Sequence, residues 1–413
     1  MSHPAVSNTR LRSARYAAGY RSQQELATAL GVGVRQVRRW ESENPPWPHP
    51  DLQQALTDLL GQNMEALGFT PPAGRDQPDP VRRSLVGTSV AAVGLAAVPM
   101  QSAAVMQPAS VAVDFQTVTW SHRRLYWSVA PADLHPAAAA HAVLGCALLT
   151  GTAGKTRRTV ATALAETYLL AGRIEFFDLR DADRAGRTLL LALQAAGQAD
   201  DPLLGSAILA HSAFIPGWAG DRDAAVERMV AARTYARRGP ASATHLAWLD
   251  AVEAECETRC GNVRTALHLI RHAEDVLAAG TEHEFAIPGW LDWFNAVRLA
   301  AFKGNTQLAA GHLPQARTTL LGVLDELPAT EDKQRTVIYG DLAAVEAAAG
   351  NPEEACAYAC RALDQLEITW YATGMDRVRE VRRSLASHQH DPCVQNLDER
   401  LYGWATTVSA LSR

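Results

Sequence analysis

From about residue 210 onward, small side chains recur at fixed distances from glycines. Gly220, Gly261, Gly311 and Gly350 each stand five residues before an alanine, at Ala225, Ala266, Ala316 and Ala355, and those alanines are 41, 50 and 39 residues apart. Seven positions beyond them come Ala232, Ala273, Val323 and Ala362, and twelve positions before them Ala213, Ala254, Gly304 and Ala343. Small residues are needed where two helices touch closely, and glycine where the chain turns back, so the pattern predicts stacked helical hairpins. An earlier hairpin with a poorer turn is expected around Ala185 and Ala192, and closing helices over 372–413. About six hairpins between Trp120 and Trp404 would make a curved α-solenoid whose inner surface is a groove.

Near the amino end the pattern is of another kind. Ser22, followed three residues later by Glu25, is a capping-box signature, so a helix is predicted from Gln23, with Leu26, Ala27 and Leu30 as its apolar face. Gly31 ends it, because glycine alone adopts the left-handed conformation there without steric cost. A second helix over 34–41 puts Val34, Val37 and Trp40 on one stripe and Arg35, Arg38 and Arg39 on the other face. A helix over 8–20 precedes this pair, and the proline-rich NPPWPHP (44–50) interrupts the helical pattern after it. A helix over 51–60 then buries Leu52, Leu56, Leu59 and Leu60, and a short fifth one over 64–67 closes the domain near Phe69. An arginine-bearing second helix can enter a DNA major groove, where a guanidinium pairs with guanine O6 and N7. The same residues also suit a solvated face on an ordinary helical hairpin.

The stretch LRSARYAAGYRSQQELATALGVGVRQVRRWE (11–41) resembles the lambda-repressor-type helix-turn-helix of the XRE regulators. Leu11, Arg12, Arg15, Ser22, Gln23, Glu25, Leu26, Ala27, Leu30, Gly31, Val37, Trp40 and Glu41 stand at the family's positions. The resemblance implies an all-α chain that opens with a five-helix lambda-repressor-like domain over 1–70. It implies that Gln23 holds the DNA backbone and that Val34, Arg35 and Arg39 reach base edges, with Arg38 on the same face. Gly33 departs from the family, which usually caps the recognition helix with Ser or Thr; a glycine cap is weaker by only a few tenths of a kcal/mol. The later hairpins, over 116–413, resemble tetratricopeptide repeats, although their period exceeds the usual length of about 34 residues. A repressor-type head before such an array resembles regulators of actinomycetes and, more distantly, peptide-pheromone receptors of Gram-positive bacteria. That likeness implies a transcription factor whose second half senses a signal or dimerises.

Composition bears on the partner. The 413 residues carry a net charge of −5, which evenly spread would argue against nucleic acid, but residues 1–44 hold seven arginines against three glutamates. A small basic head on an acidic chain is the electrostatic footprint expected of a DNA binder. Hydrophobic residues make up 47% of the chain, which excludes disorder throughout. Six cysteines are too few for a disulfide scaffold, and a reducing cytoplasm fits them best.

Residues 70–83, TPPAGRDQPDPVRR, read as a linker, and no charged residue follows from Ser84 to Val113. That length could cross a bilayer, and Arg82-Arg83 before it resembles a twin-arginine export signal. Its Ala, Gly, Ser and Val, with Pro99 and Pro108 inside, are weakly apolar and favour a linker or a packed helix.

Three other stretches invite a chemical reading. LTGTAGKT (149–156) approaches a phosphate loop but has Leu149 where glycine is required and a helical pattern where a strand must precede, so an interhelical turn is expected. Cys256 and Cys260, with His268 and His272, give two i,i+4 pairs on one hairpin, a conceivable zinc set, but cysteine is equally a small core residue. Trp290, Trp293, Phe294, Asn295 and Arg298 are expected at the start of a groove-lining helix. There Trp290, Trp293, Asn295 and Arg298 would hold a peptide or small apolar signal, or else the aromatics fill the core. GTEHEFAIPG (280–289), just before them, is a lid or a plain loop. No catalytic grouping, metal centre or cofactor motif is indicated. The expectation is a non-enzymatic, homodimeric, sequence-specific binder of double-stranded DNA with a signal or protein partner in the repeat groove. The alternative is a helical-repeat scaffold with a degenerate head.

Overall fold

The computed structural model describes residues 8–42, 45–48, 50–64, 66–69, 107–280 and 287–411. The described residues form helices and turns and contain no strand. The chain divides into two compact units, Met1–Met100 and Gln101–Arg413. Residues 70–106 lie outside the described residues, and with them the expected linker, Arg82-Arg83 and most of the uncharged segment.

In the first unit, helices α1 (Thr9–Ala17), α2 (Gln23–Ala29), α3 (Val34–Trp40) and α4 (Pro50–Leu60) enclose one core. Each boundary has a local cause. Asn8 caps α1 by accepting from the Leu11 amide (3.3 Å), and its own amide donates to the carbonyls of Trp40 (3.1 Å) and Leu67 (2.9 Å). Ser22 caps α2 through the Glu25 amide (3.2 Å), while the Glu25 carboxylate reaches back one residue further than the usual box, to the Arg21 amide (2.7 Å). Gly31 has φ +65°, as its turn requires, and Gly33 leaves α3 without a side-chain cap. Leu11, Leu26, Val37, Trp40 and Leu56 are fully buried, and Trp40 meets the edge of Phe69 at 6.3 Å. The fifth helix expected over 64–67 is not formed by the described residues there, which are turns; residue 65 lies outside them.

The second unit begins with α5 (Ser110–Leu125), which starts within the uncharged segment and before the expected boundary at 116. It continues with α6 (Pro131–Thr150), α7 (Gly154–Arg173), α8 (Ala182–Ala199), α9 (Pro202–Trp218), α10 (Arg222–Ala236) and α11 (Ala243–Arg259). Then come α12 (Val263–Ala279), α13 (Ala296–Ala309), α14 (Leu313–Glu326), α15 (Asp332–Ala348), α16 (Pro352–Ile368), α17 (Ala372–Ser384) and α18 (Pro392–Leu411). Helices pack in sequential pairs from α7–α8 to α15–α16, and the first helix of each pair also packs on the first helix of the next. At the turns Gly220, Gly261, Gly311 and Gly350 have φ between +72° and +82°. Ala213, Ala225, Ala232, Ala254, Ala266 and Ala273 are buried, as are their counterparts in the later pairs. At Gly304 a methyl group would fall 2.5 Å from Leu320, so nothing larger than glycine fits against α14 without movement. Helix α6 alone, among the described residues, is long and apolar enough to cross a membrane; Leu134, Ala138 and Ala142 on one face are buried, while Val143 is exposed.

The pair α7–α8 breaks the rule. Its turn has Arg180, at φ +58°, where later pairs have glycine, and α7 runs on into a π-helical turn, Ile174–Asp178. That turn carries Phe176, Phe177 and Asp178 across to the last helices: Lys333 of α15 pairs with Asp178, Thr373 of α17 donates to the Phe177 carbonyl (2.9 Å), and Arg180 pairs with Asp376. The first helices of the pairs therefore face an inner space that the π-helical turn bridges.

Candidate functional site

Each unit has one candidate site. In the first, Val37 and Trp40 are buried and Val34 packs against the same core, while Arg35, Arg38 and Arg39 stand exposed on the other side of α3. Among the described residues none of these three arginines is ion-paired. The helix that bears them is braced from behind by Glu41, which is almost wholly buried and accepts from Arg15 Nε (2.7 Å) through Oε1 and from Gln23 Nε2 (2.6 Å) through Oε2. Arg15, counted above in the basic balance, is thus neutralised within the fold and supplies no free charge. Gln23, expected on the DNA backbone, is half-buried and spends one amide hydrogen on holding α2 to the end of α3.

The second place is a cavity of about 130 Å³ lined by the first helices of the pairs and by the π-helical turn. Its walls are aromatic: Tyr126 and Trp127 after α5, Phe177 in the π turn, Phe214 and Trp218 on α9, Trp248 on α11, and Trp293 before α13. Its charges are buried. Arg298 is tied to Glu331 and Gln334 and stacks on Trp127 with its guanidinium 4.1 Å from the ring centre. Burial pushes its pKa down to about 10, against the pull of Glu331 and with Arg173 adding to the shift. Arg377 pairs with Asp341 (3.1 Å), and Glu255 with Arg259 (2.9 Å). Burial raises the Asp341 carboxyl to about 6. His211 is pushed down to about 3, first by burial and then by Arg173, so it is neutral; Nδ1 donates to the Ala207 carbonyl (2.9 Å), which leaves Nε2 as an acceptor.

Of the four residues expected to hold a signal, the structure brings Trp293 and Arg298 to this cavity and sends the other two elsewhere. The expected helix start at Trp290 is a 3-10 turn, Gly289–Leu291, and α13 begins only at Ala296. Trp290 packs in the core against His245, with ring centres 5.4 Å apart, and Asn295 is exposed and caps α13 by accepting from the Arg298 amide (3.0 Å). The expected lid, residues 280–289, lies largely outside the described residues. Sequence reasoning missed Arg173, Tyr126, Trp127 and Trp218, which come from other pairs; the one available signal was an arginine, Arg173, at the end of the long apolar stretch of α7.

The remaining motifs find structural places. LTGTAGKT spans the end of α6, the turn and the start of α7, with helix where a phosphate loop needs its strand. Cys256 and Cys260 face α9, with their thiols near the carbonyls of Ala213 (3.5 Å) and Gly217 (3.6 Å), whereas His268 and His272 are exposed on α12. His272 is bonded to Asp250 (2.7 Å), so the two pairs do not converge. All six cysteines are free thiols. No protein-family model and no curated relative matches the chain.

Proposed function

We propose that the chain is a sequence-specific DNA-binding transcriptional regulator whose first unit is a lambda-repressor-like helix-turn-helix of the XRE type. The second unit, on this reading, is a tetratricopeptide-like α-solenoid that senses a signal and joins two copies. The observation that carries the reading is the α3 face: three exposed arginines in one row, on a helix fixed from behind by Val37, Trp40 and Glu41. An arginine fork held this way can pair with a guanine edge, and a braced helix loses little entropy in doing so. One head covers only a few base pairs, so the regulator acts as a homodimer on two half-sites about one helical turn apart. Its place of action is the cytoplasm.

The test is selection of bound sequences from random duplexes, followed by binding titrations at several salt concentrations. Arg35→Ala and Arg39→Ala each lose roughly 1–3 kcal/mol and relax the sequence preference, whereas Gln23→Ala weakens all sequences alike. A scaffold with a degenerate head selects no sequence, and both arginine variants then behave like the parent protein.

A further inference from the structure

Every cation around the cavity in the second unit has an acid beside it except one. Arg298 has Glu331, Lys333 has Asp178, Arg259 has Glu255 and Arg377 has Asp341. Arg173 is 9% exposed, and among the described residues no carboxylate lies within ion-pairing distance of it. Its guanidinium lies instead over three rings, 4.6 Å from the centre of Tyr126, 5.1 Å from Trp293 and 5.7 Å from Trp127. Among the described residues its Nε has no acceptor.

Ring contacts do not make up for this burial. All three rings lie within the roughly 6 Å at which a cation–π contact counts, and they offset part of the cost of burying the charge, but a ring face does not supply the acceptor that a guanidinium N–H takes from a carboxylate. Asp178, whose carboxyl feels the charge of Arg173, is paired with Lys333. A second donor on the same cavity is also unanswered: the Trp218 indole Nε1 is buried and has no acceptor, with its ring held between the guanidiniums of Arg259 (4.6 Å) and Arg180 (4.9 Å). Arg377 Nε also lacks a hydrogen-bond acceptor but has the Asp341 carboxylate 3.1 Å away, so Arg173 and Trp218 are the donors with no acid beside them, and they define what is missing as an anionic group rich in acceptors. The rest of the space is aromatic. At about 130 Å³ it is roughly ten times the ~10–15 Å³ that one water needs, too large for a bare inorganic ion to fill.

The geometry points to a binding site for a small organic anion with a flat aromatic body, its acid group answering Arg173 and the Trp218 N–H and its ring lying among Trp127, Trp248 and Trp293. This names the class of signal taken by the second unit, and it rests on the reading of that unit as the sensing half. A buried arginine with no acid partner in its own fold is the expected mark of a residue kept for a ligand. The acid group is a carboxylate or a phosphate, since either presents acceptors to a guanidinium fork.

Calorimetric titration of the full-length protein with 2-naphthoate, 1-naphthyl phosphate and the neutral 2-naphthamide tests the site, with tryptophan emission as a second readout. At least one of the two anions is expected to bind ten-fold or more tightly than the amide, and the tighter one identifies the acid group. Arg173→Met is expected to abolish that preference while its melting temperature is equal to or above the parent's. Trp218→Phe, which keeps the ring and removes the N–H, is expected to weaken the anion several-fold. Absence of binding by both anions, equal binding of anion and amide, or an intact preference in Arg173→Met overturns the site. If Arg173→Met does not fold, Trp218→Phe and the anion–amide comparison in the parent protein decide. Duplex binding by the same samples is measured separately, so a failure of the DNA reading leaves this result standing on its own.

Discussion

Lys333 and Asp178 are separated by 155 residues, and they form an ion pair, 2.5 Å long, that solvent does not reach on either side. Burial pushes the Asp178 carboxyl up and the Lys333 ammonium down, and each charge opposes the shift of the other. The ammonium also lies 4.0 Å from the centre of the Tyr126 ring. Removing one partner strands the other charge in a dry interior, which costs about 3–5 kcal/mol. Lys333→Met should therefore lower the urea midpoint sharply, and the double variant Lys333→Met with Asp178→Leu should recover most of the loss. Equal midpoints for the single variant and the parent protein would remove the pair from the list of contacts that close the second unit.

Two buried histidines make the fold sensitive to acid. His211 is pushed down to about 3 by burial and by Arg173, and His245 to about 4 by burial. Each takes up a proton far more readily in the unfolded chain, so the stability they contribute is complete above pH 6.5 and is lost as pH falls from 6.5 toward 4 or 3. By pH 5 the loss is up to about 2 kcal/mol for each. Glu166 and Asp341, whose carboxyls burial raises to about 7 and about 6, act in the opposite direction over the same range, so the readout is the difference between proteins: in thermal melts between pH 7.5 and 5, His211→Phe should gain on the parent protein by up to about 2 kcal/mol as pH falls. An unchanged slope in that variant would mean that other groups set the acid limb.

Within the α2–α3 turn two glycines have opposite requirements. Gly31 sits at φ +65°, where a side chain costs roughly 1–2 kcal/mol, although a Cβ would meet no atom there. Gly33 is the extended cap of α3, at φ −73°, and a Cβ there also meets no atom within 4 Å. Gly31→Ala should lower the melting temperature of the first unit, whereas Gly33→Ser should raise it by the few tenths of a kcal/mol that a side-chain cap adds over glycine. The same ranking for both substitutions would contradict the backbone geometry of the turn.

These cases mark where sequence was sufficient. Ser22, Gly31 and the Val37–Trp40 stripe are local signals, each read within a few residues, and the structure places a cap, a left-handed turn and a buried face there. The offsets around Gly220, Gly261, Gly311 and Gly350 were legible for the same reason, because helix contact in a hairpin is set by spacing. The cavity was not. Trp293 and Arg298 are close in sequence and stand out together, but Arg173, Trp218 and Tyr126 reach the same space from different elements, and no local pattern reports a meeting of that kind. Asn295 shows the limit of local reading, since a polar residue beside tryptophans suggests a ligand contact and the structure uses it as a helix cap. The uncharged stretch before Ser110 hid the start of α5, since its helical part carries no amphipathic signal.

A row of hairpins that touch only their neighbours can be shortened or lengthened a pair at a time, each loss subtracting its own share. The π-helical turn after α7 takes that freedom away, for it hooks an early pair onto α15 and α17 and so makes the first and last members of the row answerable to each other. Trimming α17 and α18 would then loosen residues two hundred positions upstream, and the array would melt as one block, with its two ends going together.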